Sequence, residues 1–220
     1  MEQRSLFSPL WLTAAVFAGG LSSHVRADEA QPIALPPPRV DAGMPLMQAL
    51  TARKSSREFA DKDLPQQLLA DLLWAAFGVN REAEHMRTAP SAHNRQEIDI
   101  YIAMRDGVYL YDAIHHALQP LLQRDIRALT GRQEFPADAA LNLVYVADFS
   151  RVRDVPHDEA MEVAAIATGA IAQNVYLFCA SQGLATVVRG WIDKKVLAKV
   201  IGLRPKQYIF AAQSVGYPPP

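Results

Sequence analysis

The stretch "IDIYIAMRDGVYLYD", residues 98–112, carries the pattern that decides the fold. Isoleucine occupies positions 98, 100 and 102 in alternation with other side chains, and Arg-Asp-Gly separates this run from a second one, "VYLYD". A period of two is typical of a strand, and a short glycine-containing turn between two such runs predicts an antiparallel hairpin. We therefore expect an antiparallel sheet at the centre of the protein.

Helical periodicity begins on the N-terminal side of this hairpin. One apolar pattern starts at Met44, and a second follows Pro65 and stops at Gly78. Proline suits the first turn of a helix and glycine commonly ends one, so the second pattern has both boundary signals. On the C-terminal side, "QPLLQRDIRALTG", residues 119–131, is also predicted to be a helix, closed by its final glycine.

The longest helix is predicted over Glu159–Gln182, which is apolar nearly all round and rich in Ala and Gly. Such a helix packs closely on every side, which suits a central position or a subunit interface. A short helix capped by Asp193 and ending at Gly202 is expected next. Further strands are expected over 141–149 and 207–217. Because helices and strands are segregated rather than strictly alternating, the pattern favours an α+β fold with a mostly antiparallel sheet.

Composition restricts the class of protein. The chain has 220 residues, half of them apolar, with a formal net charge of −1. This length and composition suit one folded domain with a sizeable core, and the charge balance gives no electrostatic basis for binding nucleic acid. The single cysteine, Cys179, excludes an internal disulfide or a thiolate metal cluster and is expected in the core.

The N-terminus has the pattern of a targeting segment. Residues 1–27 combine Arg4, an apolar run and a small-residue site ending at Ala27, so we expect a signal peptide cleaved after Ala27 and a periplasmic or secreted protein. Retention as a membrane anchor is the weaker alternative, because Pro9 and two glycines interrupt the run. Residues 28–43 are proline-rich and are predicted to be an extended linker or a wrapping arm, followed by one domain over 44–220.

Three segments have side chains that suit a ligand. The segment "RKSSR", residues 53–57, places Arg and Lys around two serines, which is either a solvated helix end or a cradle for phosphate. The segment "PSAHNRQ", residues 90–96, precedes the first hairpin strand, where ligand loops often lie. The segment "GLATVVRGWID", residues 183–193, leaves the long helix by a glycine and contains Arg189-Gly190.

Three histidines are candidates for ligand contact or metal binding. His93 lies within the 90–96 segment and is either a ligand-contacting residue or a surface turn residue. His115 and His116 are adjacent and have no metal-ligand spacing to a partner, so both are predicted to be exposed polar residues rather than metal ligands.

In their order along the chain, these segments resemble motifs of the FMN-dependent nitroreductase family, in particular its SagB-type dehydrogenase-like branch. The similarity runs from about Met44 to the C-terminus and includes a Gly-Leu step at 183–184 and Val-Gly-Tyr-Pro at 215–218. The remaining motif residues are Arg53, Ser55, Arg57 and Phe59; Pro90, Ser91, Asn94 and Gln96; and Gln173, Asn174 and Leu177.

The resemblance implies a role for each segment. Residues Arg53, Lys54, Ser55 and Arg57 would hold the phosphate and ribityl chain of FMN. Residues Pro90, Ser91, Asn94 and Gln96 would approach the isoalloxazine ring from the facing subunit or at the ring edge. Residues Val188, Arg189 and Gly190 would lie along its pyrimidine side, where backbone N–H groups and a cation favour negative charge on the ring.

The resemblance also implies the activity. We expect an exported homodimer, with its long helix at the interface, that uses FMN to reduce a small planar acceptor such as a nitroaromatic or quinone in a ping-pong cycle. The chemistry belongs to N5 of the flavin, so no catalytic side chain and no metal are expected. The electron donor is expected to be a redox protein or a quinol. The alternative is a non-enzymatic flavin- or ligand-binding module, since no basic residue follows Tyr217, where many relatives have one.

Overall fold

A computed structural model describes residues 31–220, so the predicted signal peptide lies outside the described residues. Seven strands form one sheet in the order β1-β6-β5-β4-β7-β9-β8, and every neighbouring pair is antiparallel. Strands β2 and β3 form a separate pair. The strands are β1 (Ile33–Ala34), β2 (Val79–Arg81), β3 (Met86–Arg87), β4 (Ile98–Met104), β5 (Val108–Asp112), β6 (Ala117–Leu122), β7 (Leu141–Asp148), β8 (Ala185–Arg189) and β9 (Gln207–Gly216).

The described residues include four α-helices, α1 (Leu46–Ala52), α2 (Gln66–Phe77), α3 (His157–Ser181) and α4 (Lys194–Val200). The predicted boundary residues are confirmed. Helix α2 lies between Pro65 and Gly78, and the Asp193 carboxylate accepts a hydrogen bond from the backbone of Val196 at the start of α4. Helix α3 has the length and hydropathy of a membrane span, but it is a core helix that packs on α1, α2 and the sheet.

The sheet separates two apolar layers. On one face, the isoleucines of β4 and Leu143 and Tyr145 of β7 pack against α2 and α3. On the other face, Tyr101, Val144 and Val146 pack against α4 and the segments around it. This arrangement follows from the period of two, because successive side chains of a strand point to opposite faces. Cys179 is fully buried in the first layer, as predicted.

The proline-rich segment is an arm attached to the domain. Strand β1 adds to the edge of the sheet beside β6, and Leu35 is buried. Farther along, Arg39 forms a salt bridge of 2.7 Å with the buried carboxylate of Asp71 on α2. The compact unit accordingly begins at Gln31.

The helix predicted over residues 119–131 is wrong. Residues 117–122 form β6, and only Arg127–Thr130 make a short 3-10 turn. Pairing with β5, and with β1 at Ala117 and Leu118, satisfies the backbone of this segment as a strand, and Pro120, which lacks an N–H, is tolerated opposite Tyr109 of β5. The polar segment between α2 and β4, residues 79–97, contains the short strand pair β2 and β3.

His116 also differs from its prediction. Its ring is half-buried, with Nδ1 2.9 Å from the Tyr111 hydroxyl and Nε2 3.0 Å from the Pro36 carbonyl. Because a carbonyl oxygen only accepts, Nε2 donates to Pro36 and Nδ1 accepts from Tyr111. His116 therefore fastens the arm to the sheet, whereas His115 is exposed as predicted.

Candidate functional site

The segment after α1 concentrates positive charge. Lys54 and Arg57 are exposed and Arg53 is half-buried, and none of the three forms an ion pair with the described residues. The backbone N–H of Ser56 donates to the carbonyl of Thr186 in β8 at 2.9 Å. This bond fixes the segment beside the last strand of the sheet.

The buried phenol of Tyr176 connects this segment to α3 and β8. Its hydroxyl lies 2.8 Å from the hydroxyl of Ser55 and accepts a hydrogen bond of 3.0 Å from the backbone N–H of Val188. The guanidinium of Arg53 lies over the Tyr176 ring, 5.4 Å from its centroid. A continuous chain of hydrogen bonds therefore joins two segments that the sequence marked independently.

Val188 and Arg189 lie on opposite faces of β8. Val188 is opposite Gln213, whose amide reaches the carbonyl of Ala172 in α3, so Val188 lies on the α3 face together with Tyr176. Arg189 is the next residue, and its side chain must point to the other face. The following residue, Gly190, has open space where a Cβ would stand.

The guanidinium of Arg189 is held in a buried network. It donates to the carbonyl of Thr130 at 2.7 Å, to the Thr130 hydroxyl at 3.2 Å and to Oδ1 of Asn142 at 2.7 Å. Burial lowers the pKa of Arg189 to about 10. The cation expected at the pyrimidine side of a flavin is therefore placed behind the sheet, and only the backbone of Arg189 remains on the Tyr176 side.

The loop over residues 90–96 is fixed by its own side chains. The hydroxyl of Ser91 accepts the backbone N–H of Gln96 at 2.9 Å. The Gln96 amide donates to Oδ1 of Asn94 at 3.0 Å, and its oxygen accepts Nε of Arg87 at 2.8 Å. Asn94 and Gln96 both have positive φ, 52° and 50°, and His93 is exposed. Gln96 therefore shapes the loop, and Pro90 and Asn94 remain exposed.

The two groups of predicted site residues do not meet within one chain. Among residues 31–220, no hydrogen bond or ion pair joins the 53–57 segment to the 90–96 loop. The structure thus joins Ser55, Tyr176 and Val188 in one network, and the hydrogen bonds of Ser91 and Asn94 belong to a separate one.

Comparison with known proteins identifies the family. The model of the nitroreductase family matches residues 50–217, which is most of the chain. The chain belongs to the nitroreductase family. A predicted nitroreductase of Methanocaldococcus jannaschii is 32% identical over 181 residues, covering 78% of this chain and 90% of that protein.

Solved nitroreductase structures share the fold. A predicted nitroreductase of Ralstonia eutropha JMP134 superposes with a TM-score of 0.83 at 42% identity, covering 88% of this chain and 92% of that chain. The NADPH:FMN oxidoreductase of Vibrio harveyi, solved with NAD+, has a TM-score of 0.60 at 20% identity, covering 80% of this chain and 69% of that chain. The α+β fold with a large antiparallel sheet is thus the nitroreductase fold, and the protein is an oxidoreductase of that family.

Residues on the α3 face of this nitroreductase-family protein fit a cofactor with a phosphate group. Three cations without a carboxylate partner among the described residues suit a phosphate, and the Ser55 hydroxyl supplies a neutral donor beside them. Within the described residues, no cluster of three metal-ligating side chains occurs.

Tyr176 is the site residue that sequence reasoning missed. It lies in the Gln-Asn-x-x-Leu motif, between Asn174 and Leu177, but its two hydrogen-bond partners are far away along the chain. A tyrosine in an apolar helix is usually a core residue. Only its hydroxyl, which needs a hydrogen-bond partner when buried, indicated that Tyr176 contacts another segment.

Proposed function

We propose that this nitroreductase-family protein is an exported, FMN-dependent homodimer of the SagB-type dehydrogenase-like branch that reduces small planar acceptors of the nitroaromatic or quinone type. The observation that carries the proposal is the chain Ser55–Tyr176–Val188 beside the cations of residues 53–57, which have no carboxylate partner among residues 31–220. This arrangement supports a site on the α3 face in which the cations bind a phosphate beside strand β8.

Each group has a distinct task in this proposal. Arg53, Lys54 and Arg57 bind the phosphate of FMN, and Ser55 orients its ribityl chain. The Tyr176 hydroxyl holds Val188 and Ser55 at a fixed separation, so the site needs little reorganisation on binding. When bound, FMN supplies the capacity to accept reducing equivalents from a donor and give them to an acceptor. The backbone N–H of Gly190, just past the end of β8, is offered to the ring edge, whereas the N–H of Arg189 faces its strand partner Ala212 in β9.

FMN rather than another flavin is proposed for two reasons. The cationic segment suits one terminal phosphate, and the Vibrio harveyi neighbour is named for FMN. The proposed ping-pong cycle then requires only that donor and acceptor use the same exposed ring in turn.

The homodimer is supported by apolar surface on adjoining helices. Leu46 and Met47 on α1 are 61% and 72% exposed, and Ile166 on α3 is 73% exposed. Large apolar side chains exposed on two helices that pack on each other favour an interaction surface along these helices. A second copy packed there offers a way for the 90–96 loop of one chain to reach the cation-rich segment of the other.

The acceptor assay tests the proposed activity. The purified protein, incubated with FMN, is expected to reduce a nitroaromatic and a quinone anaerobically with a dihydronicotinamide as the test donor, slowly if its natural donor is a redox protein or quinol. Flavin-loaded protein that reduces neither acceptor with any donor, chemical reductants included, would favour the non-enzymatic binding module instead.

Export has its own experiment. N-terminal sequencing of tagged protein from fractionated cells is expected to start at Asp28 in the periplasmic or secreted fraction. Full-length protein that starts at Met1 and faces the cytoplasm would contradict export and restore access to the nicotinamide pool.

A further inference from the structure

A cleft of about 520 Å³ lies beside the 90–96 loop, between the start of β4 and the turn after β5. Asn94 and Gln96 of the loop contribute to its wall. Its lining carries three cations and two carboxylates, which are Arg87, Arg95, Arg151, Asp99 and Asp112.

Both carboxylates of the lining have partners of their own. Asp112 accepts the backbone N–H groups of Ile114 and His115 at 3.0 and 3.1 Å, and its other oxygen lies 2.7 Å from the His115 ring. Asp99 pairs with Arg151 at 2.8 Å. The aspartates therefore neutralise only one of the three arginines.

Arg87 is half-buried without a carboxylate partner among the described residues. Its Nε donates to Gln96 at 2.8 Å, its Nη1 has only a long contact of 3.5 Å with the carbonyl of Phe77, and its guanidinium lies 5.4 Å from the centroid of the Phe77 ring. Burial lowers its pKa, and the neighbouring charge of Arg151 lowers it further. Proteins rarely desolvate a cation without providing an anion, so the free edge of this guanidinium indicates a bound anion.

Arg95 supplies the second free charge. Its side chain makes no hydrogen bond or ion pair with residues 31–220, although it is only partly exposed. Burial raises the pKa of Glu97, and the positive charges of Arg95 and Arg151 lower it by less. Glu97 does not line the cleft.

We propose that this cleft binds the carboxylate or phosphate of an anionic small molecule that uses the neighbouring redox site. Arginine matches both groups through paired N–H donors, and two arginines remain free for the task. The link between the cleft and a redox site rests on the proposed function, because Asn94 and Gln96 belong both to the cleft and to the loop assigned to the flavin.

Direct binding tests the cleft without any turnover. Calorimetric titration of the protein with benzoate is expected to give binding that weakens about fivefold in Arg95→Gln and further in Arg95→Glu, with benzamide binding less tightly than benzoate. Arg124→Gln is the matched control, since Arg124 is exposed, outside the cleft and free of partners among the described residues. Equal binding of benzoate and benzamide, or no effect of Arg95→Gln, would overturn the proposal.

Turnover distinguishes the two possible sources of the anion. If the group is an acceptor carboxylate, Arg95→Gln raises the KM ratio of 4-nitrobenzoate to 4-nitrobenzamide by about fivefold. If it is a nucleotide phosphate, the same variant raises the KM ratio of NADPH to NADH. Ratios unchanged in both comparisons would contradict a cleft that serves the redox site.

The two proposals fail in different ways. Protein that takes up no flavin but still binds benzoate through Arg95 contradicts the proposed function and keeps the anion site. Flavin-loaded, active protein that binds benzoate and benzamide equally, and whose KM ratios do not change in Arg95→Gln, overturns the anion site and keeps the function.

Discussion

The hydroxyls of Ser55 and Tyr176 lie 2.8 Å apart, although 121 residues separate them in the chain. Through this bond, the segment that follows α1 is held on the C-terminal half of α3. The same phenol oxygen accepts the N–H of Val188, so one side chain sets the spacing of three segments.

Tyr176→Phe removes this junction without removing the ring. We expect a loss of about 0.5–1.5 kcal/mol in the free energy of unfolding, because the partly buried N–H of Val188 loses its partner. Flavin affinity is expected to fall as well, since Ser55 is no longer oriented. Urea denaturation and a flavin titration measure the two effects. A variant as stable as wild type and with equal flavin affinity would show that the junction positions nothing.

Arg57→Ala tests the cationic segment. Loss of one charge-assisted hydrogen bond to the phosphate is expected to weaken FMN binding by about 1.5–3 kcal/mol. The loss should be larger at low salt, because screening already weakens the contact at high salt. Arg124→Ala serves as the control. An unchanged FMN affinity in folded Arg57→Ala would mean that residues 53–57 are only a solvated helix end.

Glu97→Gln tests a buried charge. The Glu97 side chain is fully buried, neither carboxylate oxygen has a partner among the described residues, and burial raises its pKa above the ordinary value of 4.5. The folded state therefore holds this proton to higher pH than the unfolded state. Wild-type stability should fall as pH rises from about 4.5 through the raised pKa.

Unfolding by urea between pH 4.5 and 8 checks this expectation. Glu97→Gln should lose less stability over that range and be more stable than wild type at neutral pH, since a neutral amide costs less to bury than a carboxylate. The contrary result is a wild-type free energy of unfolding that changes with pH in the same way as that of Glu97→Gln, or rises more steeply. It would show that the charge of Glu97 is compensated in the folded state.

Gly131→Ala tests how tightly Arg189 is enclosed. A Cβ at residue 131 would overlap Nη1 of Arg189 and lie 2.7 Å from Oε1 of Gln133. We expect a loss of about 1–3 kcal/mol from overpacking. The loss should shrink when Arg189→Ala is already present, which a double-mutant cycle measures. Additive losses would show that the overlap is relieved by movement elsewhere.

Sequence predicted the elements whose pattern is local. The hairpin of β4 and β5 was predicted because its period of two is strong, and the long helix α3 because its apolar, Ala-rich run is long and uninterrupted. Residues 117–122 were not, because the arm that pairs with them, through β1, lies far away in sequence. An apolar pattern with Leu and Gln fits a helix until that pairing is known.

The site was predicted in its segments but not in its geometry. The motifs marked Ser55 and Val188, whereas Tyr176, which joins them, looked like core material. The face of the sheet on which the Arg189 side chain lies could be predicted from strand alternation, because the side chains of Val188 and Arg189 point to opposite faces in any strand. What no pattern contained was the network of Thr130 and Asn142 that holds the guanidinium behind the sheet.

The flavin content of the purified protein tests the central claim most directly. We expect a yellow protein whose visible spectrum is that of oxidised flavin, with close to one FMN released per chain on denaturation. Incubation with FMN followed by gel filtration should restore this ratio if some cofactor is lost during purification. A folded protein that stays colourless after incubation with FMN would contradict the account.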